Sequence, residues 1–350
     1  MHNSKSINDI KNMLKDLTSL VATSGTEEDE LEKVYKYFSD KAAVETDALG
    51  NLIATYNKDG ETTVLLDAHF DRIGLVIRGI DPKGFLLVDK VGGTDERTLV
   101  GAEVKVYGKT ELRGVICSTP PHLLTDKDKE KGVEISNLAV DIGMNREEAA
   151  EYVSIGDRAV VCGEFTELIC NCVSAGGLDD RSGVVAVINA AEQVSDKLST
   201  VCLKVVLSSQ EETGGSGAKC ASFTAGADYA ISVDVGFGVD ASGHNSGETI
   251  VLGKGASIGY SPVLDRMLTL KLKKICETEN IPYQHDVMSG RTGTNADHIC
   301  ISKGGVKTAL LSIPLKYMHT PVEVVNLTDI ENTSTIIEKF IMSLEEEKNA

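Results

Sequence analysis

The 350-residue sequence predicts an α/β protein, with a mixed central sheet flanked by helices and interrupted by a small inserted β-barrel. Short apolar runs rich in β-branched residues, at 62–68, 201–207, 229–234 and 306–313, read as buried strands. Amphipathic helical patterns precede and separate them. Between Ile73 and Cys162 the texture changes to short strands punctuated by glycine and charged turns with almost no helix, as in a small barrel or sandwich. The length also suggests more than one domain. The chain therefore divides into a discontinuous α/β domain, 1–71 and 166–350, and an insert, 72–165.

Residues 6–20 place Ile7, Ile10, Met13, Leu14, Leu17 and Leu20 on one helical face, with Ser6 and Asp9 spaced as a capping box. Thr26 and Asp29 repeat that spacing and predict a second helix with Leu31, Val34, Tyr35 and Phe38 as its stripe. A turn at Leu49-Gly50-Asn51 enters a strand to Tyr56, and the strand over 62–68 ends at His69-Phe70-Asp71. In the insert, strands begin near Ile73, Gly84, Gly101, Leu112 and Ala159, a short helix covers 146–152, and 125–131 reads as a charged exposed loop. The remainder reads as helix 182–193, strands 201–207 and 229–234, helix 261–279, strand 281–287, a loop to Asn295, a short helix from Ala296, a last buried strand 306–313 and a closing helix 328–344.

Composition narrows the function. A formal net charge of −18 argues against a nucleic-acid backbone or an anionic membrane as partner. Trp is absent and aromatics are 5%, so no stacking platform for sugars or bases is evident. The eight cysteines include no C-x-x-C pair; Cys170-Asn171-Cys172 reads as alternation on a strand. Buried thiols, no signal-peptide pattern in residues 1–16 and no apolar stretch near 18 residues predict a cytoplasmic chain without a membrane span.

The chemistry collects where strands end. Glu211-Glu212 follows the apolar run 201–207 and precedes Gly214-Gly215, which places two carboxylates at the rim of an α/β sheet, where ligands bind. Neighbouring side chains diverge, so one Glu can hold a metal while the other faces a water. His69-x-Asp71 ends a second strand; a metal-binding imidazole needs an acceptor such as that carboxylate. Asp179-Asp180 precedes a helix and reads as one N-cap and one solvated carboxylate. Asp234 ends a third strand, and His319 follows the last. Each residue alone has an ordinary explanation in a turn, a cap or a solvated loop. Together His69, Asp179, Glu212, Asp234 and His319 offer two imidazoles and three carboxylates, a donor set for two divalent cations sharing one carboxylate. Three carboxylates against four positive charges also leave room for one hydroxide.

His69-Phe-Asp71-Arg-Ile-Gly-Leu, Gly177-Leu-Asp179-Asp180-Arg181, Gln210-Glu211-Glu212-Thr-Gly, Val233-Asp234-Val and Tyr317-Met-His319-Thr-Pro-Val-Glu323 resemble the M42 family of cocatalytic metallo-aminopeptidases. Asp47-Ala-Leu-Gly50-Asn51-Leu and Ser154-Ile-Gly156-Asp157 match as well, so the resemblance runs over nearly the whole chain. It implies a metallopeptidase-like fold with a PDZ-like inserted barrel, and two divalent ions: zinc, with cobalt or manganese as alternatives. It places His69 and Asp234 on one metal, Glu212 and His319 on the other and Asp179 between them. It gives Glu211 as general acid and base and Asp71 as the group orienting His69. It also implies short peptides as substrates and a homo-oligomer, in many relatives a dodecamer. Gly293-Thr294-Asn295-Ala296 stands where the family usually has Gly-Thr-Asp-Ala, which makes Thr294 and Asn295 candidates for a substrate loop. Gly255-Ala256-Ser257 stands where Gly-Pro is common. Competing expectations are a two-metal deacylase or carboxypeptidase, and a non-catalytic metal- or peptide-binding scaffold. The scaffold would have no need for Glu211.

Overall fold

The computed structural model describes residues 6–123, 132–239 and 250–349; the predicted 125–131 loop lies outside the described residues. Helix α1 (Ile7–Thr18) carries the capping box between Ser6 and Asp9 and buries Ile10, Met13, Leu14 and Leu17. The predicted second helix is only a turn, α2 (Glu28–Leu31), followed by a 3-10 turn at Tyr35–Tyr37. Thr26 does not cap it: its hydroxyl donates to the Thr23 carbonyl at 2.9 Å. Glu27 is drawn inward instead, where its Oε1 accepts the Gln210 amide at 2.9 Å. Leu31, Val34 and Phe38 are buried all the same.

The chain then enters the sheet through β1 (Ala43–Thr46), β2 (Leu52–Tyr56) and β3 (Thr62–His69). It leaves for β4 (Gly74–Ile80), β5 (Leu86–Val91), β6 (Glu103–Tyr107), β7 (Glu111–Cys117), β8 (Ala139–Asp141), α3 (Arg146–Tyr152) and β9 (Arg158–Val161). These six strands close into a barrel in the order β4-β5-β8-β7-β6-β9. Alternation fills its interior with Leu75, Ile77, Leu86, Val88, Val104, Val106, Ile116 and Val140. The three-residue β8 was too short to stand out in the sequence.

The sheet resumes with β10 (Thr166–Glu167) and β11 (Cys172–Ala175), whose connection corrects the reading of Cys170. Cys170 and Asn171 have φ of 58° and 59°, so Cys170 lies in a turn and not on a strand. The rest is α4 (Leu178–Val194), β12 (Val201–Ser208), α5 (Ser216–Ala225), β13 (Tyr229–Phe237), β14 (Ala256–Tyr260), α6 (Arg266–Glu279), β15 (Tyr283–Val287), α7 (Ala296–Ile299), β16 (Lys307–Lys316), β17 (Glu323–Asn326) and α8 (Leu327–Asn349). Helix α6 starts later than the sequence suggests, because Asp265 caps it by accepting the Leu268 amide at 2.7 Å. The Gly255 amide, where the sequence departs from the Gly-Pro pattern, donates to Asp329 at 2.7 Å. Among the described residues no helix is long and apolar enough to cross a membrane.

The eleven-stranded sheet runs β1-β2-β12-β3-β13-β16-β17-β11-β10, with β14 and β15 attached beside β16. Its centre, β12-β3-β13-β16, is parallel, and its flanks are antiparallel. Period-two alternation sends Val64, Leu66, Ile231, Val233, Leu311 and Ile313 into the large core with α1, α4 and α8. The opposite face carries a smaller apolar cluster of Leu65, Val206, Ala218, Ala230 and Ile299 under α5 and α7. Further toward the carboxyl ends that second face turns polar, with Asp67, His69, Ser208, Ser232, Asp234 and Ser312 all buried.

Candidate active site

Register sets the site. Ser208 pairs with His69 across β12 and β3. Ser232 pairs with Asp67 across β13 and β3, and two residues on, Asp234 falls level with His69. Asp234 thus lies within β13, which continues to Phe237, and not at its end. The turn after β12 is held by the Gly215 amide donating to Gln210 at 2.8 Å. Gly215 has φ 69°, and a Cβ there would stand 2.3 Å from the His298 ring, so both conformation and space require glycine.

The five predicted ligands converge. His69 Nε2 is 2.9 Å from Asp179 Oδ1 and 3.8 Å from Asp234 Oδ1. His319 Nε2 is 3.4 Å from Asp179 Oδ2 and 3.3 Å from Glu212 Oε2. Asp179 therefore presents one oxygen to each imidazole. The donor atoms form two groups within 4.8 Å, one of His69, Asp180 and Asp234, the other of Asp179, Glu212 and His319. Asp180 is a correction to the sequence reading. Neither member of the Asp pair is solvated: Asp179 is 5% exposed and Asp180 is 0%. Both have non-helical backbone angles, so the regular helix starts after them. Asp180 is indeed a cap, accepting the Gly183 amide at 3.0 Å on Oδ1, while its buried Oδ2 has no partner among the described residues.

Asp71 holds more than the imidazole. His69 Nδ1 lies 3.0 Å from the Asp71 carbonyl and 3.6 Å from its carboxylate. An Nδ1–H donated to that carbonyl leaves Nε2 as a lone pair facing Asp179 and Asp234. The Asp71 carboxylate itself accepts the Glu211 amide at 2.9 Å, the Glu212 amide at 3.1 Å and the Ser24 hydroxyl at 2.5 Å. Glu323, quoted in a motif but given no role from sequence, is fully enclosed. It accepts the His319 amide at 2.9 Å, Leu178 at 2.8 Å and Asp179 at 3.3 Å. The barrel contributes too: the Gly93 carbonyl is 3.2 Å from His319 Nδ1.

The loop residues separate. Thr294 lines a cleft of about 480 Å³ together with the five ligands, Glu211, Asp286, Met288, Leu310 and Ser312. Asn295 is 1% exposed and turned away behind that wall, donating from Nδ2 to Ser208 Oγ at 2.8 Å.

The electrostatics fit a cation pair. Burial, reinforced by neighbouring carboxylates, pushes Asp180 and Asp234 well above the usual carboxylate range. Burial also lifts Glu211 to about 7, with His69 opposing and Glu212, Asp179 and Asp71 reinforcing. Burial disfavours a charged His69, but Asp179, Asp71 and Asp234 outweigh it and hold its pKa well above the usual value. Among the described residues no Lys or Arg lines the cleft. Closely packed carboxylates with no Lys or Arg beside them among the described residues, one with an orphaned oxygen, are the environment that divalent ions neutralise.

A model of the M42 glutamyl aminopeptidase family matches residues 50–336. The lysyl aminopeptidase of Pyrococcus furiosus is 34% identical over 307 residues, 86% of this chain and 87% of that protein. Among solved structures, an aminopeptidase from Desulfurococcus kamchatkensis is 34% identical with a TM-score of 0.88, covering 96% of this chain and 95% of that one. The TET1 peptidase of Pyrococcus horikoshii, described as assembling into a tetrahedron or a large octahedral shell, is 36% identical with a TM-score of 0.83, covering 95% and 98%. Fold, site and relatives together define a metallo-aminopeptidase. The chain belongs to the M42 family.

Proposed function

We propose that this chain removes the N-terminal residue from short peptides in the cytoplasm, using two divalent cations, zinc by preference with cobalt or manganese as alternatives. The observation that carries the reading is Asp179, whose two oxygens face His69 and His319 while Glu211 stands beside the cluster. His69 and Asp234, joined by Asp180, would hold one ion and Glu212 with His319 the other, Asp179 serving both. When bound, the ions supply a water of lowered pKa and polarise the scissile carbonyl.

The protein's own groups do the rest. Glu211, lifted to about 7, takes the proton from the attacking water and returns it to the departing amine, a role typically worth about 10²–10⁴ in rate. Asp71 fixes the main chain of Glu211, and so the place from which it acts. Glu323 steadies the amides of Asp179 and His319 together. Thr294 and the backbone at Gly293 border the space for the substrate; Asn295 supports that loop from behind through Ser208. Relatives that assemble into shells support a homo-oligomeric reading.

The test is Glu211→Gln assayed on aminoacyl chromogenic substrates after chelation and metal restoration. Turnover should fall at least about 10²-fold while metal content stays at two ions per chain. Retained turnover would remove Glu211 from the base role. Product release only from N-acylated substrates would favour a deacylase.

A further inference from the structure

One carboxylate in the cleft belongs to no ligand group and has no part in the proton transfer assigned to Glu211. Asp286 lies on β15 and lines the same cleft as His69, Asp179 and His319. Its register explains how it gets there. Ser232 pairs with Leu310, Gly259 follows two residues after Ser257, which pairs with Ser312, and Asp286 pairs with Gly259. Alternation therefore puts Asp286 on the sheet face that carries Asp234, three strands away and two residues deeper. By strand spacing that is about 16 Å between Cα atoms, of which both side chains bridge several. Gly259 between them has no side chain, and a Cβ there would touch Leu310, Leu264 and Met288 at 3.1 Å. The pocket wall is thus Leu310 and Met288, with Asp286 beyond it.

No hydrogen bond or ion pair engages Asp286 among the described residues, and none of the cleft's lining residues is Lys or Arg. The carboxylate is half-buried, with burial the sole influence acting on its pKa, which it raises. A partly desolvated carboxylate at the end of an apolar wall matches a side chain with an apolar stem and a cationic tip. The four-carbon stem of lysine reaches across such a wall, and an acidic side chain would meet repulsion there.

We infer that Asp286 forms the charged end of the pocket for the substrate's first side chain, so that this enzyme prefers peptides beginning with a basic residue. The inference rests on the aminopeptidase reading above. It departs from the acidic preference that the family's description suggests and agrees with the name of the lysyl aminopeptidase from Pyrococcus furiosus; what it adds is the residue responsible.

The experiment compares p-nitroanilides of Lys, Leu and Glu on wild type, Asp286→Asn and Asp286→Glu, each reconstituted with zinc, cobalt or manganese. Wild type should favour lysyl over glutamyl substrate. Asp286→Asn should lower the lysyl-to-leucyl ratio of kcat/KM by about 30-fold, the low end for truncating one partner of a charge pair. Asp286→Glu should keep most of the ratio, which separates charge from folding. Leucyl turnover with an unmoved ratio in Asp286→Asn, or a wild type that favours glutamyl substrate, overturns the inference and leaves the peptidase intact. Failure of wild type on every aminoacyl substrate with all three metals overturns both.

Discussion

The barrel and the large sheet bury different things. Inside β4 to β9 the buried side chains are aliphatic, and among the described residues of 74–161 no carboxylate is buried. The sheet encloses Asp67, Asp71, Asp179, Asp180, Asp234, Glu323, Asp329 and Glu345. Burying a carboxylate is costly unless donors or cations compensate. The barrel core is apolar, whereas the sheet buries carboxylates that need donors or cations to offset their cost. The two meet at Gly93, where a Cβ would stand 2.6 Å from His319 Nδ1.

Four substitutions sharpen that contrast. Leu86→Ala in the barrel core should cost about 2–5 kcal/mol of stability, read by thermal or denaturant melting, with little change in metal content. Gly93→Ala should do the reverse: a normal melt with kcat/KM down about 10²-fold, because His319 must move. If Gly93→Ala is fully active, the barrel takes no part in placing His319. Asp71→Asn should lower kcat by about 10–100-fold and weaken metal retention measured by chelator competition, through the Glu211 and Glu212 amides it accepts.

The smallest effect falls at Glu345, which accepts Ser199 Oγ at 2.6 Å and the Val201 amide at 2.8 Å where β12 begins. Burial would raise its pKa, but those donors pull it down to about 2. A depressed carboxyl stabilises fully above its unfolded value of 4.5 and loses that stabilisation as pH falls toward 2. Glu345→Gln should therefore cost about 1–2 kcal/mol at pH 7, with the gap to wild type closing below pH 4. A gap independent of pH would show that the charge is not the source.

What the sequence disclosed follows the same division. The central strands were legible because parallel strands buried on both faces read as continuous apolar runs, and the residue ending each run was conspicuously polar. His69, Glu212, Asp234 and His319 stood out at or just after those runs and Asp179 just before a helix, and the fold brings the five together. Asp180 read from sequence as a cap or a solvated carboxylate; it is a cap, and only its burial beside His69 and Asp234 sets it apart. Gly93 gave no signal, since its contribution is a carbonyl and an absent side chain. The 26–38 segment looked helical because its apolar spacing is helical, yet it forms only one α-turn and a 3-10 turn, which bury the same Leu31, Val34 and Phe38. Asn295 was a candidate because it stands where the family usually has Asp, but it is buried and donates to Ser208 Oγ instead of lining the cleft.

Asp71 grips the main chain of both neighbouring glutamates with one rigid carboxylate. In the mechanism proposed above, proton acceptor and ligand would share that single anchor, so a shift of Asp71 would displace the main chain of both together.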